Sequence, residues 1–272
     1  MLSIDQLKRI LKIMKYDSSI PELNRVKIKV VSIAFKNSNT INHMQNHPIK
    51  GVDFECVDSY QLTNQQIEGT DLLFLIADTG ELKSIEISLA IAKRARELNI
   101  LTVAIIATND RADNITELEQ CVDSLIAISN KNAAQVNELS LNIVRGISGL
   151  ITQQGLIGFD FSDAKTVLKD TGRGFLGVGS ATGINRAKNA TEKALSCLNG
   201  IGLRAAGGIL VNISATNMDL AEFDEIGNIV DNLASETSII KIGVTLDESL
   251  DTDVIKVTLI TTMLDGYIPN KQ

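Results

Sequence analysis

Two kinds of apolar pattern divide the chain. In the first half, short unbroken apolar runs occupy residues 26–34, 72–77, 101–107 and 124–128. Runs without alternation predict strands covered on both faces, as in a parallel α/β sheet. The stretches between them carry helical periodicity. The clearest places Leu82, Ile85, Leu89 and Ala92 on one stripe and Lys93, Arg94 and Arg96 on another, with Asn99 as a stop. Leu139, Ile143, Val144, Ile147 and Leu150 then predict a long helix over residues 136–151. Beyond it the pattern changes: strand-like runs at 208–213, 239–246 and 254–262 surround helices near 186–198 and 220–234, an α+β arrangement. The long helix is therefore read as a domain boundary. At the amino terminus, Ile4, Leu7, Leu11 and Met14 recur at helical spacing behind a capping-box-like stretch from Ser3 to Gln6, and Pro21 breaks the pattern before the first strand.

Length and composition narrow the class. At 272 residues the chain holds one large or two modest domains. With 44% hydrophobic and 22% charged residues it is a globular protein, and disordered, collagen-like and coiled-coil readings fall away. The core is expected to be aliphatic, because the chain has no Trp, 3 Tyr and 7 Phe. A net charge of −7 opposes a phosphate-backbone footprint, so no nucleic acid is expected as a partner. The local exception is the first helix, where Lys8, Arg9, Lys12 and Lys15 stand against a lone Asp5. Packing on the first domain is the default use of that helix; contact with a membrane or partner through Leu7, Leu11, Met14, Lys8 and Lys12 is the alternative. Cys56, Cys121 and Cys197 form no CxxC pair and are expected to be reduced and buried. No apolar run is long enough to span a bilayer and no signal peptide is evident, so a cytoplasmic protein is expected.

Few residues carry candidate chemistry. Gly172, Gly174 and Gly177 match GxGxxG, but a dinucleotide fingerprint follows a strand and opens a helix. Here it follows a helix and leads into a strand, so it reads as a turn. His43 and His47 at i, i+4 have a metal-compatible spacing without an accompanying acidic or Cys ligand, and no metal site is assigned. After the second strand, Gly80 and Glu81 open a helix, where Glu81 reads as a capping carboxylate that also repels an anion. Asp160 and Asp163 start another helix three residues apart. They serve equally as helix-end stabilisers or as a carboxylate pair that orients a water.

Several stretches together resemble FtsZ, the bacterial relative of tubulin. They are residues 98–104, 115–118 with 122–125, 145–152, 155–167, 179–183 with Arg186 and Ala187, and 208–213. The 155–167 stretch resembles the synergy loop with its N-x-D-x-x-D pattern. The resemblance implies a three-layer FtsZ/tubulin-like α/β domain with a parallel sheet, a long central helix and a smaller α+β activation domain. The corresponding division is an N-terminal helix and linker at 1–25, a nucleotide-binding-type domain at 26–136, the central helix and synergy loop at 137–159, and an activation-type domain at 160–272. In that family GTP lies on the first domain and meets the synergy loop of the next subunit. Asp160 and Asp163 match the two carboxylates that act on the neighbour's nucleotide, and Asn137 falls where a guanine-reading Asn is carried.

The departures from the family concern the phosphate cradle. The glycine-rich first loop appears as residues 34–40, and the GGGTGTG signature aligns with residues 80–86, which keep only Gly80. A segment with two further phosphate loops is missing between Asn64 and Glu68, the loop after Thr108 is shortened, and Gly158 replaces the first Asn of the synergy motif. No linker or partner-binding tail is expected after the second domain, the chain ending at Gln272. A cradle needs backbone N–H groups unobstructed by side chains. The expectation is a pseudo-GTPase: a cell-division or cytoskeletal protein that partners genuine FtsZ, or itself, through the synergy-loop face, near the division site. The alternative is a divergent polymerising GTPase using GTP and magnesium, and a purely structural homo-oligomer is a third reading.

Overall fold

The computed structural model describes residues 26–33, 40–47, 49–57, 67–78, 82–108, 115–129, 132–152, 159–198 and 203–263. The expected amino-terminal helix, including Leu7, Lys8, Leu11, Lys12 and Met14, and the sites at Gly80, Glu81 and Gly158 lie outside the described residues. Nine strands form one sheet in the order β2-β1-β3-β4-β5-β6-β9-β7-β8. They are β1 (Ile28–Ile33), β2 (Val52–Val57), β3 (Leu72–Asp78), β4 (Leu101–Thr108), β5 (Ser124–Ser129), β6 (Gly172–Thr182), β7 (Ala206–Ala215), β8 (Ile239–Leu246) and β9 (Val254–Met263). All pairings are parallel except those of β9, which runs against both β6 and β7. Eight strands therefore share one direction, and the sheet has a common amino end and a common carboxyl end.

The helices are α1 (Thr40–Gln45), α2 (Leu82–Glu97), α3 (Thr116–Cys121), α4 (Ala133–Thr152), α5 (Phe161–Leu168), α6 (Arg186–Ser196) and α7 (Leu220–Leu233). Helix α4 is the central helix of the sequence reading. Its apolar stripe packs on one face of the sheet, where Ile143, Val144, Ile147 and Leu150 join Val30, Phe74 and Ile105 from the first strands and Leu210 and Ile260 from the last. Small residues let it approach closely: a Cβ on Gly146 would stand 3.2 Å from Thr258 Cγ2 and one on Gly149 3.4 Å from Thr245 Oγ1. On the opposite face the apolar packing is divided. Helices α2 and α3 cover β1 to β5 in one cluster, and α6 and α7 cover β6 to β9 in another. Continuity between the two halves of the sheet rests on three residue pairs, Ser124↔Gly172, Leu125↔Arg173 and Ile126↔Gly174. Asp123 reinforces that seam. Its carboxylate accepts from Thr102 N at 2.7 Å and Asp170 N at 3.4 Å, and its carbonyl accepts from Thr171 N and Gly172 N.

Three expectations are corrected. The GxGxxG stretch is not a turn: it is the first half of β6, and the chain reversal is confined to Asp170 and Gly172, at φ 54° and 65°. Gly177 and Gly179 are there because α6 lies directly on the strand, so that a Cβ at either would run into the backbone of Ala194 or Ala190. The cysteines are not buried. Cys56 is exposed on the edge strand β2, and Cys197 is exposed at the end of α6, where its thiol donates to Val178 O at 3.4 Å. Finally, β2 and α1 are elements that the apolar pattern does not predict. Strand β2 alternates Val52, Phe54 and Cys56 with Asp53 and Glu55, as suits an edge, and α1 is six residues long.

Candidate functional site

At the amino end of the sheet, Asp160 begins α5 in extended conformation. Its carboxylate accepts from Asp163 N at 2.9 Å and from the Ser162 hydroxyl at 2.7 Å, while the Asp163 carboxylate accepts from Asp160 N at 3.2 Å. This is a reciprocal capping box, which satisfies amide donors that no helical carbonyl can reach. Asp163 Oδ1 also lies 2.5 Å from Lys241 Nζ. The Ser162 hydroxyl, the Asp163 amide and the Lys241 charge together hold the Asp160 carboxyl below its ordinary range. The carboxylates thus stabilise the helix start, with Asp160 exposed and Asp163 half-buried. Lys241 is a site residue that sequence reasoning missed. Its signal is a lone charge inside the apolar run Ile239–Leu246.

At the carboxyl end, α2 begins at Leu82, with three residues between it and the end of β3 at Asp78. The positions aligned with the family's glycine-rich signature are thus largely the first turn of a 16-residue helix. Ser84 and Ile85 are buried at 2% and 9% exposure, and Lys83 and Glu86 face outward. Asn137 lies half-buried in the second turn of α4. From Asn137 to Thr152 the helix runs about 22 Å, so within one subunit the structure sets Asn137 far from the Asp160–Asp163 pair. Beside it, Glu138 lies 3.6 Å from His43 Nε2, and His47 Nδ1 is 2.9 Å from His43 O. His43 thus lies between α1 and the central helix, and His47 folds back on the end of α1. Among the described residues no group of three His, Cys, Asp or Glu side chains is placed to hold a metal. Across the same helix, Lys256 Nζ donates to Asn142 Oδ1 at 2.5 Å. Burial and the neighbouring Arg145 lower the Lys256 pKa against the pull of Glu138 and Asp247.

The second half has its own polar cluster at its carboxyl end. Arg186 donates to Glu222 at 2.7 and 3.0 Å, to Thr252 O at 3.0 Å, and to Asn217 O and Oδ1 at 3.1 and 3.2 Å. Asp253 accepts from Gly183 N at 2.9 Å. Burial raises the Glu222 pKa, but the Arg186 hydrogen bond, the Asp219 amide and the Arg186 charge outweigh it and the net direction is down.

A family model described as the FtsZ family, C-terminal domain, matches residues 172–265. The chain is 30% identical to the cell division protein FtsZ of Pseudomonas aeruginosa over 308 residues, covering 89% of this chain and 78% of that protein. With FtsZ of Coxiella burnetii the identity is 31% over 307 residues, covering 88% of this chain and 79% of the relative. The chain belongs to the FtsZ family. Both alignments are longer than the 272 residues of the chain, so these FtsZ relatives carry residues within the matched span that this one lacks. The fold agrees. A mutant FtsZ from M. jannaschii superposes with a TM-score of 0.82 over 97% of both chains at 22% identity. A GTPγS-bound CetZ2 protofilament from Haloferax volcanii gives 0.65 at 12% identity, covering 88% of this chain and 94% of that one. The FtsZ/tubulin-like α/β fold of the sequence reading is the fold of this protein.

Proposed function

We propose that this FtsZ-family protein is an interaction subunit without a competent GTP site, which engages filaments of nucleotide-competent FtsZ through its Asp160–Asp163 end. The observation that carries the reading is the helical course of Leu82–Glu86. Where the family resemblance calls for successive unobstructed amides, helix formation has drawn in two buried side chains and left Glu86 exposed. One helix N-terminus attracts an anion weakly on its own, and the length of the alignments supports the loss of further loops. On this reading the two ends of the sheet have different tasks. The acidic end docks on a neighbour's nucleotide, and the carboxyl end gives the next subunit nothing to bind. Such a subunit caps or modulates division filaments and turns over no GTP itself.

Co-sedimentation with GTP-assembled FtsZ tests this. Substoichiometric chain should shorten or reduce the pelleted filaments, and an Asp160→Ala/Asp163→Ala variant should lose the effect; no effect of the unmodified chain at equal concentration rejects it. The second reading, a divergent polymerising GTPase, is favoured by Asn137 standing half-buried on the central helix. Equilibrium binding of labelled GTP with magnesium separates the two. A dissociation constant below about 1 µM, roughly 8 kcal/mol of binding, overturns the first reading and supports the second.

A further inference from the structure

Strand β6 loses one neighbour part-way along. It pairs with β5 only from Gly172 to Gly174, yet it continues to Thr182, held on its other side by β9. The Gly172 amide donates to Asp123 O, toward β5. Backbone groups alternate sides along a strand, so those of Leu176, Val178, Ser180 and Thr182 point the same way, out of the sheet. Among the described residues no strand meets them there. Two side chains from α6 and its end do: Lys193 Nζ donates to Ser180 O at 2.9 Å, and the Cys197 thiol to Val178 O at 3.4 Å. Both side chains are exposed, and a lysine at a sheet edge is a device against stray pairing.

Beside this edge lies a groove of about 430 Å³, lined by Ala181, Thr182, Asn189, Glu192, Lys193 and Ser196. The last four form one stripe of α6, at i, i+3, i+4 and i+7. The first half of the molecule stands opposite, because β5 is one strand spacing, about 4.8 Å, from β6 at Gly174. The ion pair of Arg173 with Glu119 closes this wedge at its base. A single extended chain fits it. A second copy does not join through the same edge, since its own β6 is recessed beside its own β5. Side chains of an added strand alternate between the two faces of the sheet. Gly177 and Gly179 lie under α6, so on the other face the added side chains meet Leu176 and Val178, both half-buried. On the α6 face they meet Lys193, which an incoming amide displaces from Ser180 O. Along α6, Arg186, Lys188 and Lys193 stand against Glu192 alone, in a chain of net charge −7. The complement is a segment in which apolar and acidic residues alternate.

We propose that the outer edge of β6 is a strand-addition site for an extended peptide of a partner protein, with apolar and acidic residues alternating along it. The peptide's amides take over Val178 O and Ser180 O from Cys197 and Lys193, and one of its carboxylates receives the freed Lys193 ammonium. Panning a library of random linear peptides, displayed on phage, against the full chain tests this. Peptides with the alternation should be enriched, and synthetic versions should bind the full chain. Val178→Pro removes only an outward amide, a change that edge strands tolerate. It should weaken binding about tenfold or more, and so should Lys193→Glu. N-methylation of alternate peptide amides should abolish binding in one phase of the alternation and spare it in the other, which decides the matter even if Val178→Pro does not fold. Three results overturn the proposal: no enriched peptide, binding unaffected by Val178→Pro or by both patterns of N-methylation, or binding unaffected by Lys193→Glu. Neither GTP, FtsZ filaments nor the Asp160–Asp163 end enters these experiments, so their outcome is separate from that of the co-sedimentation assay.

Discussion

Arg186 joins the start of α6 to Asn217, Glu222 and Thr252 through a side chain only 11% exposed. Substitution by Met leaves Glu222 and two carbonyls without their donor. It should lower the unfolding free energy by about 2–4 kcal/mol in urea titration. Lys should rescue little, since one ammonium cannot reproduce the guanidinium fork. The pH dependence has a definite sign. Asp160 and Glu222 both have folded pKa values below their ordinary ones. Their stabilisation is complete above about pH 5 and is lost as pH falls through the lower folded values. Asp123, raised mainly by burial, acts in the opposite sense, its ionisation costing stability as pH rises. Thermal melts between pH 5 and 3 should therefore fall less steeply in Glu222→Gln than in the unmodified chain. At this scale sequence spacing placed Asp160 and Asp163 together at a helix start and left open whether they cap it or orient a water, since i, i+3 carboxylates suit either use. It did not reveal Lys241, whose partner Asp163 lies far away in the chain, or the constraint at Gly177 and Gly179, which depends on how closely the following helix packs back on β6.

Elements with a strong period were the legible ones. Helix α4 and strand β8 follow directly from their apolar positions, whereas β2, an edge strand like β8, escapes because Asp53 and Glu55 break its apolar run. The start of α5 shows how local chemistry sets an element boundary. Asp160→Ala removes the side-chain acceptor for Asp163 N and should cost about 0.5–2 kcal/mol, with Asp160→Ser recovering most of it in the same denaturation experiment. The start of α2 was legible as a helix start, from the stripe of Leu82, Ile85, Leu89 and Ala92. What the fold adds is that Ser84 and Ile85, in the first turn after β3, are packed inward while Lys83 and Glu86 face out.

The whole molecule is one aliphatic sheet with eight of its nine described strands in a common direction; the unbroken runs of the first half pointed to parallel strands, whereas the second half was read as a separate α+β domain. What the sequence left open was how the halves meet, because the seam involves a few backbone pairs between segments nearly fifty residues apart. The seam is one-sided. Along the α4 face apolar packing crosses it unbroken. On the other face the two clusters stop short of each other, and the gap is crossed by Arg173 to Glu119 at 3.0 Å and Arg96 to Asp170 at 2.9 Å, all partly exposed. Ion pairs of this kind weaken as the screening length shrinks from about 10 Å at 0.1 M salt to 3 Å at 1 M. Raising the salt should speed hydrogen exchange at the amides of residues 172–174 and leave those of β3 and β4 unchanged. In mechanical terms the joint is a hinge, with the central helix as its pin and two charged latches opposite, and ionic strength sets its stiffness.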